Sequence, residues 1–258
     1  MTMLLLVDAG NTRIKWALAD RSSRTTAALG QWAASGSVAC ADVLQLADTW
    51  RGAGIGRVIL SNVAGASMRE ALERVLSRAL GLTPVPLEWF ASVPLLAGVR
   101  NGYRDPAQLG CDRFAAAIGA HALFPAQALI VATCGTATTV DAVSADGTFL
   151  GGMILPGLSL MAASLARNTA QLPQVAEQRA PAAPFADNTD NAIVSGCIAA
   201  QAGAIERACA AHARLSGTAA VRCILAGGAA DAIAPQLSPA CERVDNLVLV
   251  GLQAAARC

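Results

Sequence analysis

A strand-like run that breaks at a polar turn and continues as a second strand-like run occurs twice in this chain. The first copy, "LLLVDAGNTRIKWAL", spans Leu4–Leu18, and the second, "QALIVATCGTATTVDAV", spans Gln127–Val143. Between them, apolar runs alternate with helical patterns. "RVILSNV" reads as a buried strand, and "SMREALERVLSRALG" places Met68, Leu72, Val75, Leu76 and Leu80 at helical spacing, with Gly81 as its stop. Strand and helix alternating in this way predict an α/β layer architecture. The repeated strand–turn–strand unit predicts two related halves that share a cleft.

The 258 residues are long for one domain and short for two, at roughly 100–200 residues per domain. The division expected is residues 1–105 and 106–258, with the second block beginning after "VRNGYRDP". Its expected elements are a helix over "DRFAAAIGAHAL", the hairpin hinged at Cys134–Gly135, and a strand "TFLGGMIL" followed by a helix opened by Pro156. An irregular loop over Gln171–Asn188, a long helix over Thr189–Leu215, the strand "VRCILAGG" and a terminal helix from about Asn246 complete it. In the first block a helix is expected near Asp42–Arg51 and a strand over "TPVPLEW". "GAGIGR" at Gly52–Arg57 is expected to be a loop.

Charge and composition exclude several classes. Net charge is +1, so no field draws nucleic acid or an anionic membrane, and one tyrosine, five phenylalanines and four tryptophans offer little base stacking. The partner expected is a small molecule. The chain contains eight cysteines but no C-x-x-C pair, and only two histidines, His121 and His212. That argues against a Cys/His zinc site or a disulfide framework and points to a reducing, cytoplasmic setting. No secretory signal pattern is present. Phe114–Val140 and Gly147–Ala166 carry no charge, but Pro125, Gly151, Gly152, Pro156 and Gly157 interrupt them, so no membrane span is expected. The P-loop pattern and the G-x-S-x-G nucleophile elbow are both absent.

Four clusters carry the chemistry, and each also has an ordinary structural explanation. In "DAGNTRIK", Gly10 permits close backbone approach to an anion, Asn11 and Thr12 add neutral donors, and Lys15 adds positive charge. Asp8 suits a hydrated Mg²⁺ better than an anion. A polar hairpin turn would use the same residues. "TCGTATTVD", Thr133–Asp141, surrounds a turn with hydroxyls, although threonine is also an ordinary strand residue. "AGGAADA", Ala226–Ala232, would let a flat base lie against the backbone, or is simply a strand-to-helix turn. In "GCDR", Asp112 follows Gly110 at the start of an apolar helix. It reads either as a helix cap or as an acceptor for a substrate hydroxyl proton, with Arg113 and Tyr103 beside an anionic group.

In this order the clusters resemble the type III pantothenate kinase family. "DAGNTRIK" and "GTATTVD" are similar to its two phosphate motifs, "GCDR" to its substrate motif and "AGGAA" to its adenosine motif, while "GGMILPGLSLM" is similar to its dimer-interface segment. The resemblance implies two ribonuclease-H-like domains of the actin-like ATPase fold, with ATP between them. It also implies ATP-dependent phosphorylation of pantothenate, the first step toward coenzyme A, by a homodimer. Residue by residue, it implies that Asp8, Ala9, Gly10, Asn11, Thr12, Arg13, Ile14 and Lys15 bind ATP, with Asp8 toward Mg²⁺, and that Thr136 contacts the phosphates. Tyr103, Gly110, Cys111, Asp112, Arg113 and Thr189 would bind pantothenate, with Asp112 as general base. Where several members carry an aspartate for K⁺ or NH₄⁺, this chain has Thr133, a neutral and poor cation ligand. Rival readings within the superfamily are an ATP-binding accessory or regulatory protein without turnover, and a phosphohydrolase; Asp112 together with Arg113 favours the kinase.

Overall fold

In this computed structural model, residues 2–20, 25–82, 84–175, 184–218, 221–238 and 240–258 are described. The elements in chain order are β1 (Met3–Ala9), β2 (Arg13–Asp20), β3 (Ala34–Ala39), α1 (Leu46–Trp50), β4 (Ile55–Asn62), α2 (Ala66–Leu80), β5 (Leu87–Trp89), β6 (Leu95–Leu96), β7 (Val99–Asn101) and α3 (Cys111–Leu123). They continue with β8 (Leu129–Cys134), β9 (Ala137–Val143), β10 (Thr148–Pro156), α4 (Leu158–Asn168), α5 (Thr189–Ser216), β11 (Arg222–Ala226), α6 (Ala230–Ile233), β12 (Cys241–Arg243) and α7 (Leu247–Ala255).

Contacts divide the chain into two compact units, Met1–Pro125 with Asn246–Cys258, and Ala126–Asp245. This differs from the 1–105 and 106–258 division expected from sequence, and the reason lies in α3 and α7. Residue 251 on α7 lies so close to α3 that a Cβ there would sit 1.7 Å from the Ala115 carbonyl oxygen, and one on Gly119 would sit 2.7 Å from that of Leu247. Only glycines allow this approach, and it returns the C-terminal helix to the first unit.

The first unit has strand order β3-β2-β1-β4-β5, with β1 antiparallel to β2 and parallel to β4. Leu4–Val7 form a continuous buried run, as expected of a strand covered on both faces. α2 buries Ala71, Leu72, Val75, Leu76 and Ala79 against this sheet and turns Arg69 and Glu73 outward as an ion pair at 3.1 Å. Arg57 lies in β4, so the end of "GAGIGR" is strand and not loop; its guanidinium donates to Glu88 and to the Ala256 carbonyl at 2.7 Å. "TPVPLEW" yields a strand only from Leu87, because its prolines have no N–H for the ladder; Thr83 lies outside the described residues. Near Asp42–Arg51 a 3₁₀ turn, Cys40–Gln45, precedes the short α1.

The strands of the second unit run β10-β9-β8-β11-β12. β8 is antiparallel to β9 and parallel to β11, as β1 is to β2 and β4. The two units therefore share one topology, and the polar turns at Asp8 and Gly135 occupy the same place in each. Pro156 ends β10 instead of opening α4: it pairs with Ala137, and Gln201 donates to its carbonyl at 2.7 Å. The loop expected over Gln171–Asn188 falls partly outside the described residues, which omit 176–183. Among the described residues, no helix is long and apolar enough to cross a membrane.

Candidate active site

The first turn is built by strand register. Asp8 faces Lys15 across the β1–β2 ladder, and the Gly10 N–H closes the turn on the Arg13 carbonyl at 3.1 Å. Cys40 fixes the turn from outside: its N–H donates to the Thr12 carbonyl at 3.1 Å and its thiol to the Gly10 carbonyl at 3.2 Å. Asn11, Thr12 and Arg13 are exposed, while Ala9 and Ile14 are buried in the core. The Arg13 guanidinium donates to the Ser37 hydroxyl at 2.9 Å and so anchors β2 to β3.

Asp112 is brought to the same end of the sheet by a buried contact. In the parallel β1–β4 register, Ser61 lies beside Asp8. The Ser61 hydroxyl, fully buried, meets the Cys111 sulfur at 3.3 Å, and that thiol reaches the Asn62 carbonyl at 3.7 Å. The first turn of α3 is thereby pinned to the carboxyl ends of β1 and β4, where open α/β sheets place their ligands. Burial, then the charge of Asp112, push the Asp8 carboxyl up to about 7, with Lys15 opposing. Burial also raises Asp112, against the N–H and charge of Arg113. Two carboxyls raised by burial at one sheet end, one of them further raised by the other's charge, form the kind of pair found at reaction centres.

Gly110 caps α3, so Asp112 is not its cap, although one carboxylate oxygen accepts the Arg113 N–H at 2.9 Å. A Cβ at residue 110 would lie 2.7 Å from that oxygen. Arg113, which is buried, donates to the Tyr103 hydroxyl at 2.9 Å. Asn101 builds the loop that presents Tyr103, accepting its N–H at 3.1 Å and donating to the Pro106 carbonyl at 3.0 Å. Tyr103, Gly110, Cys111, Asp112, Arg113 and the Asp8–Lys15 turn thus belong to one unit. Ser61, Cys40 and Asn101 are supports that the sequence analysis missed; only Asn101, an Asx residue before "GYRDP", carries a turn signal there.

Thr136 and Thr189 belong to the second unit. Thr136 is exposed on the Gly135 turn, with its carbonyl accepting the Gly157 N–H at 2.9 Å. Gly227, at φ +92°, lies so near that a Cβ would be 2.3 Å from the Cys134 carbonyl oxygen, which accepts the Ala229 N–H at 3.1 Å. The Gly227 loop and the second polar turn therefore share one backbone contact. Thr138 donates to Gln201 at 2.6 Å and ties this hairpin to α5. Thr133 is the register partner of Thr139, whose hydroxyl is buried with no partner among the described residues. Thr189 is the exposed first residue of α5, capped by Asn188.

Two units of one topology, each with a tight polar turn after its central strand, define an actin-like ATPase fold. The chain belongs to the type III pantothenate kinase family, whose family model matches residues 4–211. It is 66% identical over 254 residues to the type III pantothenate kinase of Janthinobacterium sp. (strain Marseille), covering 98% of this chain and 97% of that one. The enzyme of that description from Herminiimonas arsenicoxydans is 65% identical over the same shares. Among solved structures, the chain is similar to a protein described as a Baf family transcriptional activator from Campylobacter jejuni. That match has a TM-score of 0.60 and 18% identity, covering 96% of this chain and 95% of the other. A second similar structure, of a 2-dehydro-3-deoxygalactonokinase protein from Sinorhizobium meliloti, has a TM-score of 0.58 and 18% identity, covering 98% of each chain. At that identity these two show the fold alone.

Proposed function

We infer that this chain phosphorylates pantothenate with ATP, giving 4'-phosphopantothenate, the first step of coenzyme A biosynthesis. The observation that carries the residue assignment is the pairing of Asp8 with Asp112 at one sheet end. Phosphoryl transfer passes through a loose transition state, so positioning and charge neutralisation supply most of the rate. In this reading Asp112 orients the primary hydroxyl of pantothenate and takes its proton late, while Arg113 and Tyr103 hold the anionic end of the substrate. Gly110 leaves room for the Asp112 carboxylate, and Cys111 sets its distance from β4. Gly10, Asn11, Thr12 and Lys15, with the backbone of Ala9, Arg13 and Ile14, form the phosphate turn. Thr136 and Thr189 contribute a phosphate contact and a pantothenate contact.

Asp8 fits a hydrated Mg²⁺. Burial and Asp112 oppose its ionisation, and a divalent cation would reverse that; Mg²⁺ needs only one or two carboxylates beside phosphate oxygens and water. When bound, the ion neutralises charge on the transferring phosphate. Thr133, a neutral hydroxyl on β8, is a poor ligand for K⁺ or NH₄⁺, and no step is assigned to such an ion. A cytoplasmic homodimer belongs to the same reading. Its support is the number of large apolar side chains left exposed on β10 and α4, among them Met153, Ile154, Leu160 and Leu165. The test is ADP release measured with and without pantothenate, and with and without K⁺. Pantothenate-dependent release, insensitive to K⁺, is expected; release that ignores pantothenate would contradict the assignment.

A further inference from the structure

Away from the phosphate turns, the second unit gathers three thiols from three elements into one apolar cluster: Cys209 on α5, Cys223 on β11 and Cys241 on β12. Cys223 and Cys241 are register partners on adjacent parallel strands, so their side chains leave the sheet on one face. Neighbouring strands lie about 4.8 Å apart, inside the Cα separation of about 4.4–6.8 Å that disulfides span. Cys223 packs with both other cysteines in this cluster, and their sulfurs together with burial push its thiol up. Cys223 is fully buried and Cys241 half-buried, yet both line a cavity of about 1340 Å³ shared with Ser144, Asp146 and Arg222. Structural cysteines sealed in a core are inert, whereas paired thiols with an access route can react.

We propose that Cys241 and Cys223 form an oxidation site for peroxides, closing to a disulfide between β11 and β12. The Cys241 thiolate attacks one peroxide oxygen and breaks the O–O bond, becoming a sulfenic acid; the hydroxide or alkoxide expelled takes up the proton that Cys241 gave up on ionising and leaves as water or an alcohol. The Cys223 sulfur then displaces the sulfenic oxygen, which departs as water with the Cys223 proton. The Cys223 thiol beside it favours the thiolate at Cys241, against burial and the nearby Glu206 charge. β12 is a three-residue strand at the sheet edge, where small shifts toward bonding geometry are cheapest. The bridge spans the stretch that contains the Gly227 turn and α6, and cross-linking it limits the unfolded chain.

No Lys or Arg lies between Arg222 and Arg243, so one tryptic peptide, 223–243, holds both sulfurs. Reduced full-length protein is treated with hydrogen peroxide, alkylated in denaturant and digested. The expected product is peptide 223–243 lighter by two hydrogens, unalkylated and restored by a dithiol reductant. The oxidised protein also melts higher, and neither change occurs in Cys241→Ser. The exposed Cys258 reports that oxidant was present. The proposal is overturned if peptide 223–243 remains fully alkylated while Cys258 is oxidised, or if Cys223 is found joined to Cys209.

Discussion

Asp8 is held in a place that disfavours its charge, and that has a consequence for stability. Its carboxyl titrates near 7 in the folded chain against 3.8 ordinarily. Below about pH 4 both folded and unfolded chains carry the proton and nothing is lost. Between about pH 4 and 7 the unfolded chain releases it first, so the contribution falls away as pH rises, at up to about 1.4 kcal/mol per unit before solvent screening is discounted. Asparagine carries no such penalty. The melting temperature of Asp8→Asn relative to the native chain, without nucleotide, should therefore be several degrees more favourable at pH 8 than at pH 4.5. A difference that does not change with pH would show that the acid is not strained. Gly110→Ala acts on the other acid. Its methyl would displace the Asp112 oxygen from 2.7 Å, and turnover should fall at least about tenfold with a small change in melting temperature. Unchanged turnover would mean that the carboxylate position does not matter.

At the scale of elements, the contact between α3 and α7 holds the first unit together. Gly251→Ala would drive a methyl into the Ala115 carbonyl and should destabilise by about 3 kcal/mol or more, read by urea or thermal unfolding. A neutral result would show that the helices have room to separate. This contact marks where sequence reading stops. β1, β2, α2, α3 and the β8–β9 hairpin are legible because local periodicity and turn residues specify them. The α3–α7 packing joins glycines 132 residues apart by their numbers, Gly119 and Gly251, and no local pattern announces it. The same holds at the site. Asp8, Gly10, Lys15, Asp112 and Arg113 stand out as charges and glycines inside apolar runs. Ser61 and Cys40 look like filler until strand register sets one beside Asp8 and the other under the Gly10 turn.

For the whole molecule, the repeated topology explains why one chain carries two polar turns: each unit places its own at the end of its central strand. The exposed apolar side chains of β10 and α4 belong to this scale as well, with Ile154, 66% exposed, the most open of those on β10. Ile154→Asp should shift the protein from dimer to monomer in light scattering at micromolar concentration, whereas a wild-type chain that is already monomeric would remove the homodimer from the account. The most direct test of the central assignment is Asp112→Asn, measured for both pantothenate-dependent ADP release and ATP binding. Turnover should drop by about 10²–10⁴-fold while ATP affinity stays within a few-fold of the native value. Turnover near the native rate would mean that Asp112 serves its helix and not the reaction.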